Sequence, residues 1–170
     1  MRSLRNKSCD IREFIIENNL DVFCVTETWL HDDDTSIIAS SLPDTHFFHH
    51  FPRLERIGGG VGIFLSKNFA NIKSFNRSSN SFECIELHAT LNRTKIVFSV
   101  LYRPPGIFGN FLQEYEKYVL ECEKSENNVI YLGDFNVWMD DINNTDARRM
   151  NHFLDAFLLK NHIVSPIHKL

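Results

Sequence analysis

Two oxygen-bearing side chains, Asp134 and Asn136, follow an apolar run and are separated by a single residue. If strand geometry continues through them, both leave the same face and Phe135 is anchored on the other. A carboxylate and an amide oxygen that face one space suit Mg²⁺ and phosphate better than Zn²⁺. The alternative is a turn in which both side chains bond only nearby backbone. Gly-Asp-x-Asn is a short motif, and taken alone it leaves both interpretations open.

Two further strand ends carry groups with suitable chemistry. The apolar run Val22–Val25 leads to Glu27, so a second strand presents a carboxylate. Tyr102 and Arg103 end a third run, because Pro104-Pro105 cannot extend the hydrogen-bond ladder of a sheet. A phenol and a guanidinium at a strand end suit contacts with phosphate, and on that ground we assign Arg103 to the substrate rim.

The spacing of apolar residues predicts the strands that would position these groups. The run Val129–Leu132 is uninterrupted, which is typical of a strand covered on both faces. Residues 82–91 alternate between apolar and polar, and the chain returns as 95–102 after Asn92-Arg93. This pattern predicts a hairpin in a mainly antiparallel sheet. Further strands are predicted at residues 46–51, 61–65 and 70–76.

Helical spacing predicts three helices outside the strands. The first has Ile11, Phe14 and Ile15 on one face, and the second runs from a cap at Asn110 to about Lys124. The third has core residues at strict helical spacing, namely Met150, Phe153, Leu154, Phe157 and Leu158.

Three other features have simpler explanations than a binding site. Gly58-Gly59-Gly60 lacks the following Lys-Ser/Thr and helix of a P-loop, so a tight bend before a strand is favoured over a phosphate cradle. Asp32-Asp33-Asp34 is interpreted as a solvated acidic turn, in preference to a metal site. His49 and His50 have no nearby partner at zinc spacing, so we interpret them as exposed or packing residues.

The composition limits the class of protein. With 170 residues, 43% of them hydrophobic, the chain can bury one sizeable core, and we expect a single domain over residues 1–170. The net charge of −4 argues against binding nucleic acid by bulk electrostatics. The four cysteines have no C-x-x-C spacing, which indicates reduced thiols. Because the chain shows neither a signal sequence nor a membrane-spanning run, we expect an intracellular protein without membrane contacts.

Several short segments occur in the order known from one protein family. They are Arg2-Ser3-Leu4 with Lys7, Thr26–Leu30, Gly58–Val61, Tyr102–Pro105, Gly133–Asn136, and Pro166 with His168. On these segments the chain resembles the endonuclease/exonuclease/phosphatase superfamily, and it looks most like the apurinic-type endonuclease domain of non-LTR (LINE-type) retrotransposons. The resemblance implies a four-layer α/β sandwich, in which two mainly antiparallel or mixed sheets pack face to face with helices outside.

The resemblance also implies roles for residues already singled out. Glu27 matches the family's Mg²⁺ ligand, with Mn²⁺ as an alternative ion. Tyr102 matches the tyrosine that contacts the scissile phosphate or its leaving group. Asp134 matches the aspartate that orients and activates the attacking water, and Asn136 the asparagine that holds Asp134 and the phosphate. The expected substrate is DNA, the expected partner is a reverse transcriptase domain on the same chain, and a nuclear location would fit that role.

Two parts of the family pattern have no counterpart in these residues. One is an asparagine on a strand ahead of the Arg-Ser-Leu segment, and the other is an aspartate followed by a Ser-Asp-His motif after Pro166 and His168. We therefore expect weak activity or none from the chain alone. The alternatives are a non-catalytic remnant or nucleic-acid-binding module with the same fold, and a phosphatase of the same superfamily.

Overall fold

The computed structural model describes residues 4, 6–31, 33–52, 58–124, 128–141 and 143–163. The family segment with Pro166 and His168, and the strand predicted after Ile163, lie outside these ranges. No helix within them is long and apolar enough to cross a membrane. The elements described are, in chain order, α1 (Ser8–Glu17), β1 (Val22–Thr26), α2 (Thr35–Ser41), β2 (His46–Phe51), β3 (Val61–Ser66), β4 (Ala70–Ser78), β5 (Glu83–Leu91), β6 (Thr94–Tyr102), α3 (Phe108–Glu123), β7 (Asn128–Asp134) and α4 (Thr145–Ala156).

The strands form two sheets. The smaller sheet has the order β1-β3-β2 and is antiparallel, and the larger has the order β4-β5-β6-β7. Strand β7 runs parallel to β6, because helix α3 carries the chain back across the sheet between them. The register of this pair aligns Tyr102 with Asp134, so the ends of β6 and β7 lie side by side.

Three apolar clusters separate four layers, which confirms the predicted sandwich. One cluster fills the space between the two sheets. A second joins the outer face of the larger sheet to α3 and α4, and a third joins the smaller sheet to α1 and α2. Fully buried members of the three clusters are, respectively, Ile63, Leu87 and Val100; Phe111 and Tyr115; and Ile15 and Phe64.

The predicted hairpin is confirmed by its turn. Strands β5 and β6 pair antiparallel, and the two connecting residues, Asn92 and Arg93, have φ of 48° and 69°. Positive φ at both central positions is the conformation of the tightest hairpin turns. Ile85, Leu87 and Ala89 face the core between the sheets, as their alternation predicted.

Strand β7 departs from the expected burial on both faces. Val129 and Tyr131 pack against the helix-side core and Leu132 against the core between the sheets, but Ile130 is 43% exposed. The reason is that β7 is the last strand of the described sheet. An uninterrupted apolar run therefore did not distinguish an edge strand from a central one.

Two helix boundaries also differ from the prediction. Helix α3 begins at Phe108, so Asn110 lies inside the helix and does not cap it. Phe108 is buried, and the packing of this apolar side chain outweighs the preference for a polar cap. Helix α4 ends at Ala156, which leaves Leu158 92% exposed with a φ of 54°, so its assignment to the core was wrong.

Helix α2 lies in a segment for which the sequence predicted no helix. Asp34, expected in a solvated turn, is 8% exposed and accepts a hydrogen bond from the His31 N–H group just before the helix. The helix has only two large apolar residues, Ile37 and Ile38, which are adjacent. So short a stretch shows no helical periodicity of apolar residues, and the spacing therefore did not predict helix α2.

Candidate active site

The end of β1 and the end of β6 meet across the two sheets. The Tyr102 hydroxyl donates a 2.7 Å hydrogen bond to Oε1 of Glu27, 75 positions away in the sequence. Tyr102 is 5% exposed, so packing fixes its phenol, whereas Glu27 is half-buried. Within the described ranges no hydrogen bond is made to Oε2 of Glu27, and this oxygen can therefore face a ligand.

Asp134 lies on the strand beside Tyr102 and at the same level. The parallel register aligns the two residues, and the Arg103 N–H group donates to the Asp134 carbonyl at 2.9 Å. Strand β1 packs against both β6 and β7, and the Asp134 side chain is exposed. Glu27, Tyr102 and Asp134 thus lie at one edge of the sandwich, which we call the site rim.

Asn136 does not continue the strand that ends at Asp134. Its φ is 49°, its N–H group donates to Oδ1 of Asp134 at 2.9 Å, and its side-chain amide donates to the Arg103 carbonyl at 2.6 Å. The bond to Asp134 is the local turn contact that the sequence left open as an alternative, whereas the bond to Arg103 joins this turn to the end of β6. Phe135 packs into the helix-side core, whereas Asp134 and Asn136 are exposed. Asn136 therefore closes the turn and restrains the Asp134 carboxylate.

Arg103 faces the interior, which differs from its predicted position on the substrate rim. It is 5% exposed, and its guanidinium donates to the carbonyls of Phe135, Asn136 and Gly106 at 2.9–3.0 Å. The guanidinium also lies 5.3 Å from the ring centre of Phe108. Burial lowers the pKa of Arg103, and nearby aspartates partly offset that effect. These contacts tie the loop after β7 to the loop after β6.

The bend Gly58-Gly59-Gly60 supports the segment that carries Glu27. All three glycines have positive φ, of 86°, 79° and 83°. The last two carbonyls accept hydrogen bonds from the N–H groups of Trp29 and Thr28 at 3.0 and 3.2 Å. Glu27 and Trp29 each have a φ of 54°, which is unfavourable for a residue with a side chain. The glycine bend stabilises this unusual backbone.

Glu83 belongs to the same neighbourhood and was missed from the sequence. Its carboxylate accepts a 2.8 Å hydrogen bond from the Gly60 N–H group. Its partner in the β5/β6 register is Tyr102. The two-residue turn at 92–93 determines that register, so the hairpin geometry could have identified Glu83.

The donor chemistry of the site rim fits a hard divalent cation. Glu27 and Asp134 offer carboxylate oxygens, and the part of the chain that is described contains no group of three or more His, Cys, Asp or Glu that could hold a metal. Mg²⁺ suits such a place, because it keeps several waters and binds through one or two carboxylates. Zn²⁺ would require three or four nitrogen, sulfur or oxygen ligands from the protein.

Comparison with known proteins identifies the family. The model of the endonuclease/exonuclease/phosphatase family matches residues 1–160. No curated protein sequence matches the chain.

Solved structures share the fold at low sequence identity. TDP2 of D. rerio, complexed with a single-strand DNA product, is 13% identical with a TM-score of 0.60, over 87% of this chain and 58% of that one. The human Nocturnin catalytic domain with bound sulfate is 17% identical with a TM-score of 0.61, over 90% and 62% of the two chains. The Bacteroides thetaiotaomicron mannosyl-6-phosphatase Bt3783 is 15% identical with a TM-score of 0.62, over 85% and 60%.

At these identities the likeness shows the fold alone. The chain spans 58–62% of the length of the three structures. The family match over residues 1–160 and the four-layer sandwich agree with each other. On this evidence the chain belongs to the endonuclease/exonuclease/phosphatase family.

Proposed function

We propose that this chain hydrolyses phosphodiester bonds of DNA with the help of a divalent cation, as the endonuclease domain of a non-LTR retroelement. The observation that carries the proposal is the hydrogen bond from Tyr102 to Glu27, with Asp134 aligned beside Tyr102. A carboxylate for a metal, a phenol and an exposed carboxylate then share one rim. These are the groups that hydrolysis of a phosphate ester needs.

Each residue of the site rim has a role in this proposal. Glu27 holds Mg²⁺, or Mn²⁺ in its place, through the oxygen that Tyr102 does not bond. The cation, when bound, offsets the negative charge that develops on the phosphate. Tyr102 orients Glu27 and contacts the phosphate or its leaving group, and the exposed Asp134 carboxylate orients and deprotonates the attacking water. Asn136 keeps that carboxylate in place through its N–H group.

Arg103 is a positioning residue in this proposal. Its guanidinium donates to three backbone carbonyls of the loops after β6 and β7, and in this proposal these donors hold the loops and do not contact the substrate. By holding the loop after β7, it fixes the direction in which Asp134 leaves the strand. A planar guanidinium with several donors suits this task better than an ammonium.

Two observations support DNA as the substrate. A TDP2 structure with the same fold was determined with a single-strand DNA product. The segments Thr26–Leu30 and Tyr102–Pro105 resemble those of retroelement endonucleases and not those of the phosphatases in the family. A reverse transcriptase domain on the same polypeptide and a nuclear location are part of the proposal. Reading the genomic sequence on both sides of this segment tests the first of them.

A phosphatase of the same family is the second candidate. It is favoured by the mannosyl-6-phosphatase, which matches this chain with a TM-score of 0.62. The same rim chemistry serves a phosphate monoester and a diester, because in both cases a cation and an activated water act on one phosphorus. The two candidates therefore differ in substrate and not in mechanism.

Hydrolysis assays separate these functions. The chain is incubated in Mg²⁺ with single-stranded DNA, supercoiled plasmid and a sugar phosphate, alone and as a chimera with terminal strands from a family member. We expect slow DNA cleavage by the chain and faster cleavage by the chimera. Asp134→Ala should reduce cleavage by roughly 10²-fold or more, because general base catalysis is lost. Asp155→Ala, an exposed carboxylate on α4, is the matched control and should have no effect.

The outcomes are distinct. Faster turnover of the sugar phosphate than of DNA would support the phosphatase. A folded chimera that cleaves neither substrate would contradict hydrolysis and support a non-catalytic binding module. Cleavage that persists in Asp134→Ala would show that the assignment of the water-activating residue is wrong.

A further inference from the structure

The chain has only two tryptophans, and both are exposed close to residues of the site rim. Trp29 is 40% exposed and follows Glu27 by two positions, and Trp138 is 60% exposed and follows Asp134 by four. Large aromatic side chains usually bury most of their surface, because each one removes much apolar area from water. Two exposed indoles that each follow a site carboxylate therefore need an explanation.

The segment after β7 keeps Trp138 exposed to solvent. Residues 134–140 alternate between exposed and partly buried positions. Phe135, Val137 and Met139 pack against the helix-side core, so the residues between them face outward. Trp138 is therefore exposed on the loop that begins at Asp134. The alternation survives the positive φ at position 136, because the three anchors hold the loop on the core.

The segment after β1 repeats the arrangement. Thr28 and Leu30 are 1% and 2% exposed, whereas Glu27 is half-buried and Trp29 is exposed. The backbone of Trp29 is held by the glycine bend, and a Cβ built on Gly58 would lie 3.4 Å from the indole. The indole thus lies beside Gly58 and remains partly exposed.

We propose that Trp29 and Trp138 stack on nucleobases of a single-stranded nucleic acid, one on each side of the phosphate held at the site rim. The inference rests on the proposed function and specifies that its substrate is a single-stranded nucleic acid. Glu27 directly follows β1 and Asp134 ends β7, and Tyr102 bonds the first and is aligned with the second, so both tryptophans lie on loops that begin at the site rim. Only unpaired bases offer their faces to an aromatic ring, because a duplex keeps them stacked.

The net negative charge of the protein favours stacking over electrostatic attraction as the source of its affinity for nucleic acid. A net charge of −4 gives little general attraction for a polyanion. Stacking on an aromatic side chain does not depend on net charge, and it contributes roughly 5- to 150-fold in affinity for each base. It is also tolerant of sequence, since every base has a flat face. We therefore expect binding with little base preference but with a strong preference for unpaired strands.

Because the chain has only two tryptophans, the fluorescence of each can be measured in a variant that lacks the other. Trp138→Phe leaves Trp29 as the only indole, and Trp29→Phe leaves Trp138. Each variant is titrated with short oligothymidylate, with the same length of abasic strand, and with inorganic phosphate, in Ca²⁺ to limit cleavage. We expect a saturable loss of emission with oligothymidylate in both variants and none with the other two probes.

Binding measurements complete the test. Replacing both tryptophans with leucine should weaken oligothymidylate binding by roughly 5- to 150-fold for each lost stack. Phe47→Ala is the matched control, because Phe47 is 43% exposed on β2, and it should leave the affinity unchanged. Equal loss of emission with the abasic strand, or unchanged emission with oligothymidylate, would overturn the inference.

The same experiments test the proposed hydrolysis independently of the stacking tryptophans. Unchanged emission together with Mg²⁺-dependent DNA cleavage would reject the stacking tryptophans and leave the hydrolase proposal intact. Loss of emission with oligothymidylate, together with a folded chimera that does not cleave DNA, would support the tryptophans as binding residues and reject hydrolysis.

Discussion

The Tyr102 hydroxyl and the Glu27 carboxylate are joined by a 2.7 Å hydrogen bond, although Tyr102 ends a strand of the larger sheet and Glu27 follows a strand of the smaller one. The bond fixes the end of β1 relative to the ends of β6 and β7. It also gives one oxygen of the carboxylate a hydrogen-bond donor. The position of Glu27 therefore depends on a contact between sheets as well as on its own strand.

Replacing Tyr102 with Phe tests this dependence. Removing a hydrogen bond to a carboxylate should lower the free energy of unfolding by about 1–2 kcal/mol. Mg²⁺ affinity should fall about ten-fold, because partners that orient a metal ligand contribute to metal binding. Urea unfolding and calorimetric titration measure the two effects. Tyr115→Phe, which changes a buried tyrosine in the helix-side core, should leave Mg²⁺ affinity unchanged, and an equal loss there would contradict the prediction.

Replacing Arg103 with Lys tests the role of the buried guanidinium. Lysine lacks the planar guanidinium that donates hydrogen bonds to three carbonyls at once. We therefore expect the free energy of unfolding to fall by about 2–4 kcal/mol. Arg149 lies over the same Phe108 ring at 5.5 Å but is exposed. Arg149→Lys should therefore cost less than about 0.5 kcal/mol. Equal effects of the two substitutions in chemical denaturation would mean that the carbonyl contacts of Arg103 contribute nothing.

Gly133 should tolerate no side chain. Its φ is 129°, and an added Cβ would lie 1.8 Å from the Leu101 carbonyl oxygen on the paired strand. Gly133→Ala should separate β6 from β7 near the site rim and destabilise the protein by at least about 3 kcal/mol. Gly106→Ala is the control, because its nearest neighbour would be 4.0 Å away. Thermal unfolding that shifts equally in both variants would refute this account.

The raised pKa of the Cys84 thiol predicts that the protein loses stability at alkaline pH. Burial raises its pKa from 9.0 to about 11, while hydrogen bonds with Ser99 and Tyr118 act in the opposite direction. The folded state binds the thiol proton more tightly, so this stability is complete below pH 9 and is lost as the pH rises through about 11. The difference corresponds to about 2–3 kcal/mol.

Urea unfolding on both sides of that pH window measures the effect. Cys84→Ala should show a smaller fall in stability than the unchanged protein between pH 9 and about 11. Cys9→Ala, which alters an exposed thiol on α1, should show the same fall as the unchanged protein. Identical pH profiles in all three proteins would mean that the Cys84 thiol ionises as readily in the folded state as in the unfolded state.

The individual strands of the sandwich could largely be predicted from local patterns. The hairpin and the polar ends of β1, β6 and β7 follow from alternation, turn chemistry and prolines, because each of these signals lies within a few residues. The four-layer order, by contrast, was predicted from the resemblance to the family. Helix α2 and the exposed face of Ile130 could not be predicted. They depend on which element covers a segment, and a single sequence does not contain that information.

The candidate site shows the same limit. Strand ends identified Glu27 and Asp134, but the inward direction of Arg103 depends on carbonyls that three-dimensional folding brings around it. The turn at Asn136 depends on a backbone conformation that its residue type permits and does not require. Position along a strand was therefore predictable, whereas the direction of a side chain beyond the strand was not.

The proposed hydrolytic function depends most on Glu27 as the residue that binds the divalent cation. Calorimetric titration with Mg²⁺ tests this directly, with Mn²⁺ as the second ion. We expect weak, saturable binding to the unchanged protein, because few protein carboxylates replace water on a reluctantly dehydrated ion. Binding should be lost in Glu27→Gln and retained in Glu121→Gln, an exposed glutamate on α3. Unchanged Mg²⁺ binding by a folded Glu27→Gln variant would contradict the account.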